Sequence, residues 1–132
     1  FHIIGNVGKM KNIFLPKNPK IIFLGQKKKL NSYIKNSICG LGNLQIATGV
    51  QGKILTYMSF GLPSICSKRS GINFGSNVLT YNSDERLISH IVNLKKEKKL
   101  SLNYSSKSLK FVNKYLWKNV KVYYLKLIKD SF

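Results

Sequence analysis

Three short apolar runs, each closed by a glycine, constrain the fold of this chain more than any other feature. Ile3-Ile4 ends at Gly5, Lys20-Ile21-Ile22-Phe23-Leu24 ends at Gly25, and Ser37-Ile38-Cys39 ends at Gly40. Runs this short, apolar at successive rather than alternate positions, read as strands buried on both faces, as in a parallel sheet. Between the second and third, Leu30, Tyr33 and Ile34 recur at the three-to-four spacing of an amphipathic helix over residues 28–36, which predicts a βαβ unit.

The alternation continues downstream. Residues 53–60 carry Ile54, Leu55, Tyr57 and Met58 and stop at Gly61, with Pro63 opening the run Ser64-Ile65-Cys66; helix, tight turn and strand follow. Val78-Leu79-Thr80-Tyr81 is a further strand. Asn82-Ser83-Asp84-Glu85 supplies a cap followed by acids, suited to a helix reaching about Lys96 with Leu87, Ile88, Ile91, Val92 and Leu94 as its buried face. Two more helices are expected over residues 100–114 and 117–129, the second marked by Val120, Tyr124, Leu127 and Ile128. The expected fold class is therefore α/β: a doubly wound, mostly parallel Rossmann-like sheet with a helical C-terminal part, in a single domain over residues 1–132.

No segment approaches the roughly 20 apolar residues of a membrane-spanning helix, so a soluble globular domain is expected. The opening Phe1-His2-Ile3-Ile4 carries no signal-peptide pattern and reads as the start of a piece of something longer. Cys39 and Cys66 match no metal or redox spacing and are expected as free, mostly buried thiols in a reducing, cytoplasmic setting. The net charge of +19 raises nucleic acid, anionic lipid and phosphorylated ligands as partners. The excess is almost all lysine, with Arg69 and Arg86 the only arginines, in a chain also rich in Ile and Asn, whose codons share A/T-richness with those of Lys. Nucleic-acid readers recruit arginine for bidentate contacts; the composition argues against nucleic acid and leaves peripheral contact with an anionic membrane, at its inner face, as a minor expectation. Lys27-Lys28-Lys29 and residues 95–99 read as solvated surface, and His2 and His90 as surface histidines. Asp84, Glu85, Glu97 and Asp130 form no carboxylate pair or metal set, so no metal site and no catalytic residue is assigned.

In an open α/β sheet, ligands bind at the carboxyl ends of the strands, where loops lead into helix starts. Gly49 and Gly52 bracket such a turn. There the chain can approach a ligand without Cβ obstruction, and the helix dipole, the first-turn amides and the Lys53 ammonium together favour a phosphate or diphosphate.

The run Gly49-Val50-Gln51-Gly52-Lys53-Ile54-Leu55-Thr56-Tyr57-Met58-Ser59-Phe60-Gly61-Leu62-Pro63-Ser64-Ile65 resembles the motif G-[IV]-x-x-K-[IV]-L-E-x-M-A-x-G-L-P-V-[IV] of group 1 glycosyltransferases, in the C-terminal, nucleotide-sugar-binding half of their GT-B fold. Phe23-Leu24-Gly25, Ser37-Ile38-Cys39, Ser70-Gly71-Ile72 and Tyr115-Leu116-Trp117 agree in order. The resemblance implies transfer of a sugar from a nucleotide-diphosphate sugar to a glycan or lipid-linked acceptor, as in polysaccharide biosynthesis, with no cofactor besides the donor substrate. The acceptor half would lie outside this chain. It implies a donor site in which Gly49, Val50 and Gln51 hold the diphosphate or sugar, Lys53 adds charge, Gly25, Gln26 and Lys27 border the base, and Lys9 or Lys11 replaces the family's diphosphate-gripping basic pair. The family's E-x7-E falls at Thr48 and Thr56. A hydroxyl at 56 would contact ribose hydroxyls more weakly than a carboxylate does, which sets two alternatives beside the transferase: a degenerate, non-catalytic remnant, and a basic module for nucleic acid or anionic membrane marked by steeply salt-dependent binding.

Overall fold

A computed structural model describes residues 1–5, 18–43 and 49–131. The chain is mixed α/β and divides into two compact units, Phe1–Ser32 and Tyr33–Phe132. In the first, strands β1 (His2–Ile4) and β2 (Ile22–Gly25) pair in parallel, with His2 opposite Ile22 and Ile3 opposite Phe23. The register shifts after Ile3, and the Gly5 amide donates to the Gly25 carbonyl at 3.0 Å.

Helix α1 (Asn31–Lys35) is shorter than the expected 28–36. It begins only after Lys27-Lys28-Lys29, since neighbouring cations repel one another and oppose the positive end of the helix dipole. Strand β3 is Gly40–Gly42 and so starts where the sequence pattern ends it. Ser37 belongs instead to the close of α1, its amide donating to the Ile34 carbonyl at 3.0 Å and its hydroxyl to the Tyr33 carbonyl at 2.7 Å. Strands β2 and β3 lie in different sheets, so the expected βαβ unit over residues 20–40 does not form.

The second unit holds a parallel sheet in the order β3-β4-β5, with β4 at Ser64–Ser67 and β5 at Leu79–Tyr81. Gly40, Leu41 and Gly42 face Ser64, Ile65 and Cys66, and Ile65 and Cys66 in turn face Leu79 and Thr80. Successive residues of a strand point to opposite faces, and the core divides accordingly. Cys66 joins Ile54, Met58, Phe74 and Val78 on one side, while Ile65 joins Leu79 and Leu94 on the other. Both faces of this sheet are thus covered.

Helix α2 (Gly52–Ser59) lies against the first face, and the two glycines of β3 are what let it come so close. A Cβ at Gly40 would fall 2.3 Å from the Tyr57 ring, and one at Gly42 would fall 2.9 Å from Ile54 Cδ1. In return Ile54 and Met58 are wholly buried, a gain of about 1.5–3 kcal/mol per side chain. The helix ends as the Gly61-Leu62-Pro63 pattern predicts: Gly61 takes φ +68°, its amide donates to the Met58 carbonyl, and the Leu62 amide reaches the Tyr57 carbonyl. These two bonds satisfy carbonyls that the last helical turn would leave orphaned.

A short helix α3 (Lys68–Gly71) and a 3-10 segment (Ile72–Asn77) lead into β5. Helix α4 (Asp84–Lys96) starts on the Ser83 cap, as expected from its sequence. Its buried face differs from the expected one. Leu87, His90, Ile91 and Leu94 turn inward, whereas Ile88 and Val92 are exposed; at 100° per residue these last two lie off the stripe that the other four share. His90 is not a surface residue. It is 9% exposed, and burial is tolerated because its Nε2 lies 3.1 Å from the Thr80 carbonyl oxygen. Helix α5 (Lys98–Asn113) packs on both α2 and α4, with Phe111 against Phe74 at 5.5 Å between ring centroids. Helix α6 (Trp117–Asp130) follows and contains no buried residue.

The close approach of α2 yields a stability prediction. Gly40→Ala should destabilise the chain by about 1–3 kcal/mol or more through overpacking. Gly52→Ala, where an added Cβ meets nothing within 4 Å, should be neutral or slightly stabilising. Urea unfolding midpoints measure both, and an unchanged midpoint for Gly40→Ala would rule out this tight contact.

Candidate functional site

Because β3, β4 and β5 are parallel, their carboxyl ends share one edge, and the helices that follow them begin there. Two of the three helix starts are closed by their own side chains. Ser67 Oγ accepts the Ser70 amide at 3.3 Å ahead of α3, and Ser83 Oγ accepts the Arg86 amide at 3.3 Å ahead of α4. The start of α2 is different: Gln51 stands at the cap position with extended backbone and makes no capping side-chain bond. The first amides of a helix have no helical partner; the Ile54 amide already donates to the Gln51 carbonyl at 3.0 Å, so what the α2 start offers an outside acceptor is the amides of Gly52 and Lys53.

The turn before α2 is held in place. Gly49 takes φ +69°, and its carbonyl accepts the Asn73 side-chain amide at 2.9 Å, tying the turn to the segment that follows α3. Val50, Gly52 and Lys53 are exposed. Burial pushes the Cys66 thiol up to about 12, and the Lys53 ammonium acts against that rise, so the lysine's charge is felt at the end of β4. Gly49, Val50, Gln51 and Lys53 therefore stand together at one turn. Thr56 lies one turn further along, and its hydroxyl donates to the Gly52 carbonyl of its own helix at 3.0 Å. That back-bond is a common resting place for a helical threonine; it commits the hydroxyl hydrogen and leaves the oxygen only as an acceptor.

A second feature of this edge carries no signal in the motif. Asn43, Ser67, Lys68, Arg69, Tyr81 and Asn82, with Ser83 and Asp84, line an open cleft of about 390 Å³ across the ends of all three strands. Lys68 and Arg69 make its wall basic. The Tyr81 hydroxyl is buried and lacks a hydrogen-bond partner among the described residues; its pKa is raised by burial first, then by Cys66 and Asp84. The signal for Arg69 in the sequence is that it is one of two arginines in a lysine-rich chain and follows the run Ser64-Ile65-Cys66 by three residues. Gly25, Gln26 and Lys27 belong to the first unit, at the carboxyl end of β2, with Gln26 and Lys27 exposed. Lys9, Lys11 and Thr48 lie outside the described residues.

Among the described residues no group of three or more His, Cys, Asp or Glu side chains could hold a metal, and no helix is long and apolar enough to cross a membrane. Both cysteines are free, Cys66 fully buried and Cys39 partly so. No protein-family model matches the chain, and no curated protein matches it.

The buried thiols dictate a pH response. Burial raises Cys39 to about 11 and Cys66 to about 12, from 9.0 for an ordinary thiol. Between these limits the folded chain keeps protons that the unfolded chain releases, so stability is complete below about pH 9 and falls as pH climbs towards the folded values. Urea unfolding at rising pH should show this decline. Cys66→Ala should flatten it, and an equally steep decline in that variant would exclude Cys66 as a source.

Proposed function

We propose that this chain is the donor-binding half of a GT-B-fold glycosyltransferase, with a doubly wound sheet, working in the cytoplasm on a nucleotide-diphosphate sugar and a glycan or lipid-linked acceptor. The observation that carries the reading is the α2 start: an uncapped helix N-terminus behind the Gly49 turn, at the carboxyl edge of a parallel sheet, with Lys53 in its first turn. Such a place favours a diphosphate. The motif from Gly49 to Pro63 occupies the same residues, so sequence likeness and local chemistry support one site.

In the transfer, the bond between the sugar's anomeric carbon and the diphosphate oxygen breaks while an acceptor hydroxyl oxygen bonds that carbon and loses its proton. Negative charge grows on the departing diphosphate. Amides fixed at the α2 start and the Lys53 ammonium stabilise that charge without having to reorganise, the most effective form of electrostatic help. Lys68 and Arg69, just past the end of β4, add to the positive field on the same edge. The acceptor and the base that takes its proton would come from the other half of such an enzyme.

One observation favours a second reading, a remnant that has lost turnover. Thr56 stands where the family's carboxylate grips the ribose, and its hydroxyl is already committed to Gly52.

Calorimetry with UDP and GDP tests the site. Binding is expected on the full chain and should weaken about five- to thirty-fold in Lys53→Ala, the loss of one charge-assisted contact. Thr56→Glu should tighten binding if the missing carboxylate is what limits it; no gain would weaken the remnant reading. Absence of heat at millimolar nucleotide would overturn the donor site.

A further inference from the structure

The cleft across the ends of β3, β4 and β5 carries more chemistry than a diphosphate at the α2 start can use. Lys68 and Arg69, adjacent and exposed, put two cations on its wall, and Asp84 in the same lining offsets one of them. Arg69 already engages a neighbour in the chain, but a guanidinium carries five N–H donors in a fork that matches a carboxylate. Asn43 and Asn82 bring carboxamides, each able to donate and to accept. Tyr81 also lines the cleft, and its hydroxyl is shut from solvent with no hydrogen-bond partner among the described residues. A buried polar group left unpaired in a native fold calls for an explanation, and an acceptor that arrives with a ligand supplies one.

The cleft adjoins the α2 start. The Lys53 ammonium acts on the Cys66 thiol, and Cys66 directly precedes Ser67, which lines the cleft at the end of β4. A diphosphate on the Gly52 and Lys53 amides thus has the cleft beside it, and at about 390 Å³ the space is of the size that small-ligand sites have. A neutral hexose would find partners for its hydroxyls in Asn43, Asn82 and Asp84 but would leave Lys68 and Arg69 without a counter-charge. We propose that the donor sugar is a hexuronic acid, its ring in this cleft and its carboxylate on Lys68 and Arg69; the inference rests on the donor-site reading above. Two cations less the Asp84 carboxylate leave one net positive charge, which a single carboxylate matches and a phosphate dianion on the sugar exceeds.

Calorimetry on the full chain compares UDP, UDP-glucose and UDP-glucuronate, and in the same way GDP, GDP-mannose and GDP-mannuronate. With the nucleotide that binds, the acidic sugar should bind about tenfold or more tighter than the neutral one, the gain of a charge-assisted contact. Lys68→Gln combined with Arg69→Gln should remove that preference, and should weaken the bare nucleotide by less than about fivefold, through loss of field alone. Both side chains are exposed, so the double variant should keep the parent's circular dichroism and melting midpoint. Equal affinity for acidic and neutral sugars, with the bare nucleotide still bound, would overturn the uronic acid and leave the donor site standing. A preference that survives in the double variant would overturn it as well. Heat from none of the six ligands would overturn the inference together with the donor site.

Discussion

The contact between α2 and the bare backbone of β3 is the constraint on which the second unit depends. With no side chain at 40 or 42, the Tyr57 ring and the Ile54 side chain occupy the space where two Cβ atoms would be. The helix is thereby set against the strand pair, and its start is delivered to the carboxyl edge of the sheet. A larger residue at either position would lift α2 and carry the Gly49 turn with it. The candidate anion site is in this sense a consequence of packing: the turn that would meet a ligand is placed by glycines on the strand before it.

The sequence makes some of this plain and hides the rest, for reasons that follow from particular residues. Gly61-Leu62-Pro63 and Ser83-Asp84-Glu85 are local signals, complete within a few residues, and the structure realises both as a helix stop and a helix start. Strand β3 is hidden because its own residues are two glycines around a leucine, while the more apolar Ser37-Ile38-Cys39 beside it looks more like a strand. Only the facing side chains of α2 explain why glycine belongs there. His90 is hidden for a similar reason: its polarity argues for the surface until the Thr80 carbonyl, ten residues earlier on β5, is known to sit opposite it.

The candidate site divides along the same line. Gly49 through Lys53 are contiguous in sequence, so their grouping was readable. Asn43, Lys68, Arg69 and Tyr81 come from three strand ends and meet only because the strands are parallel neighbours. Even there, the sequence shows which helix starts are already satisfied, since Ser67 and Ser83 are capping residues and Gln51 is not. An uncapped start is a modest local cost in the free protein, one that a bound anion would remove.

The surplus of lysine bears on the α2 start only in part. Four carboxylates cannot neutralise 23 basic residues, so the chain carries a positive field that draws any polyanion towards it. Such a field is screened over about 8–10 Å at physiological salt and cannot by itself choose between a nucleotide, a lipid and a nucleic acid. Selection needs short-range features. At α2 these are amides held in a fixed turn, which suit two linked phosphates. The charge supplies the attraction, and the backbone of the turn decides what is kept.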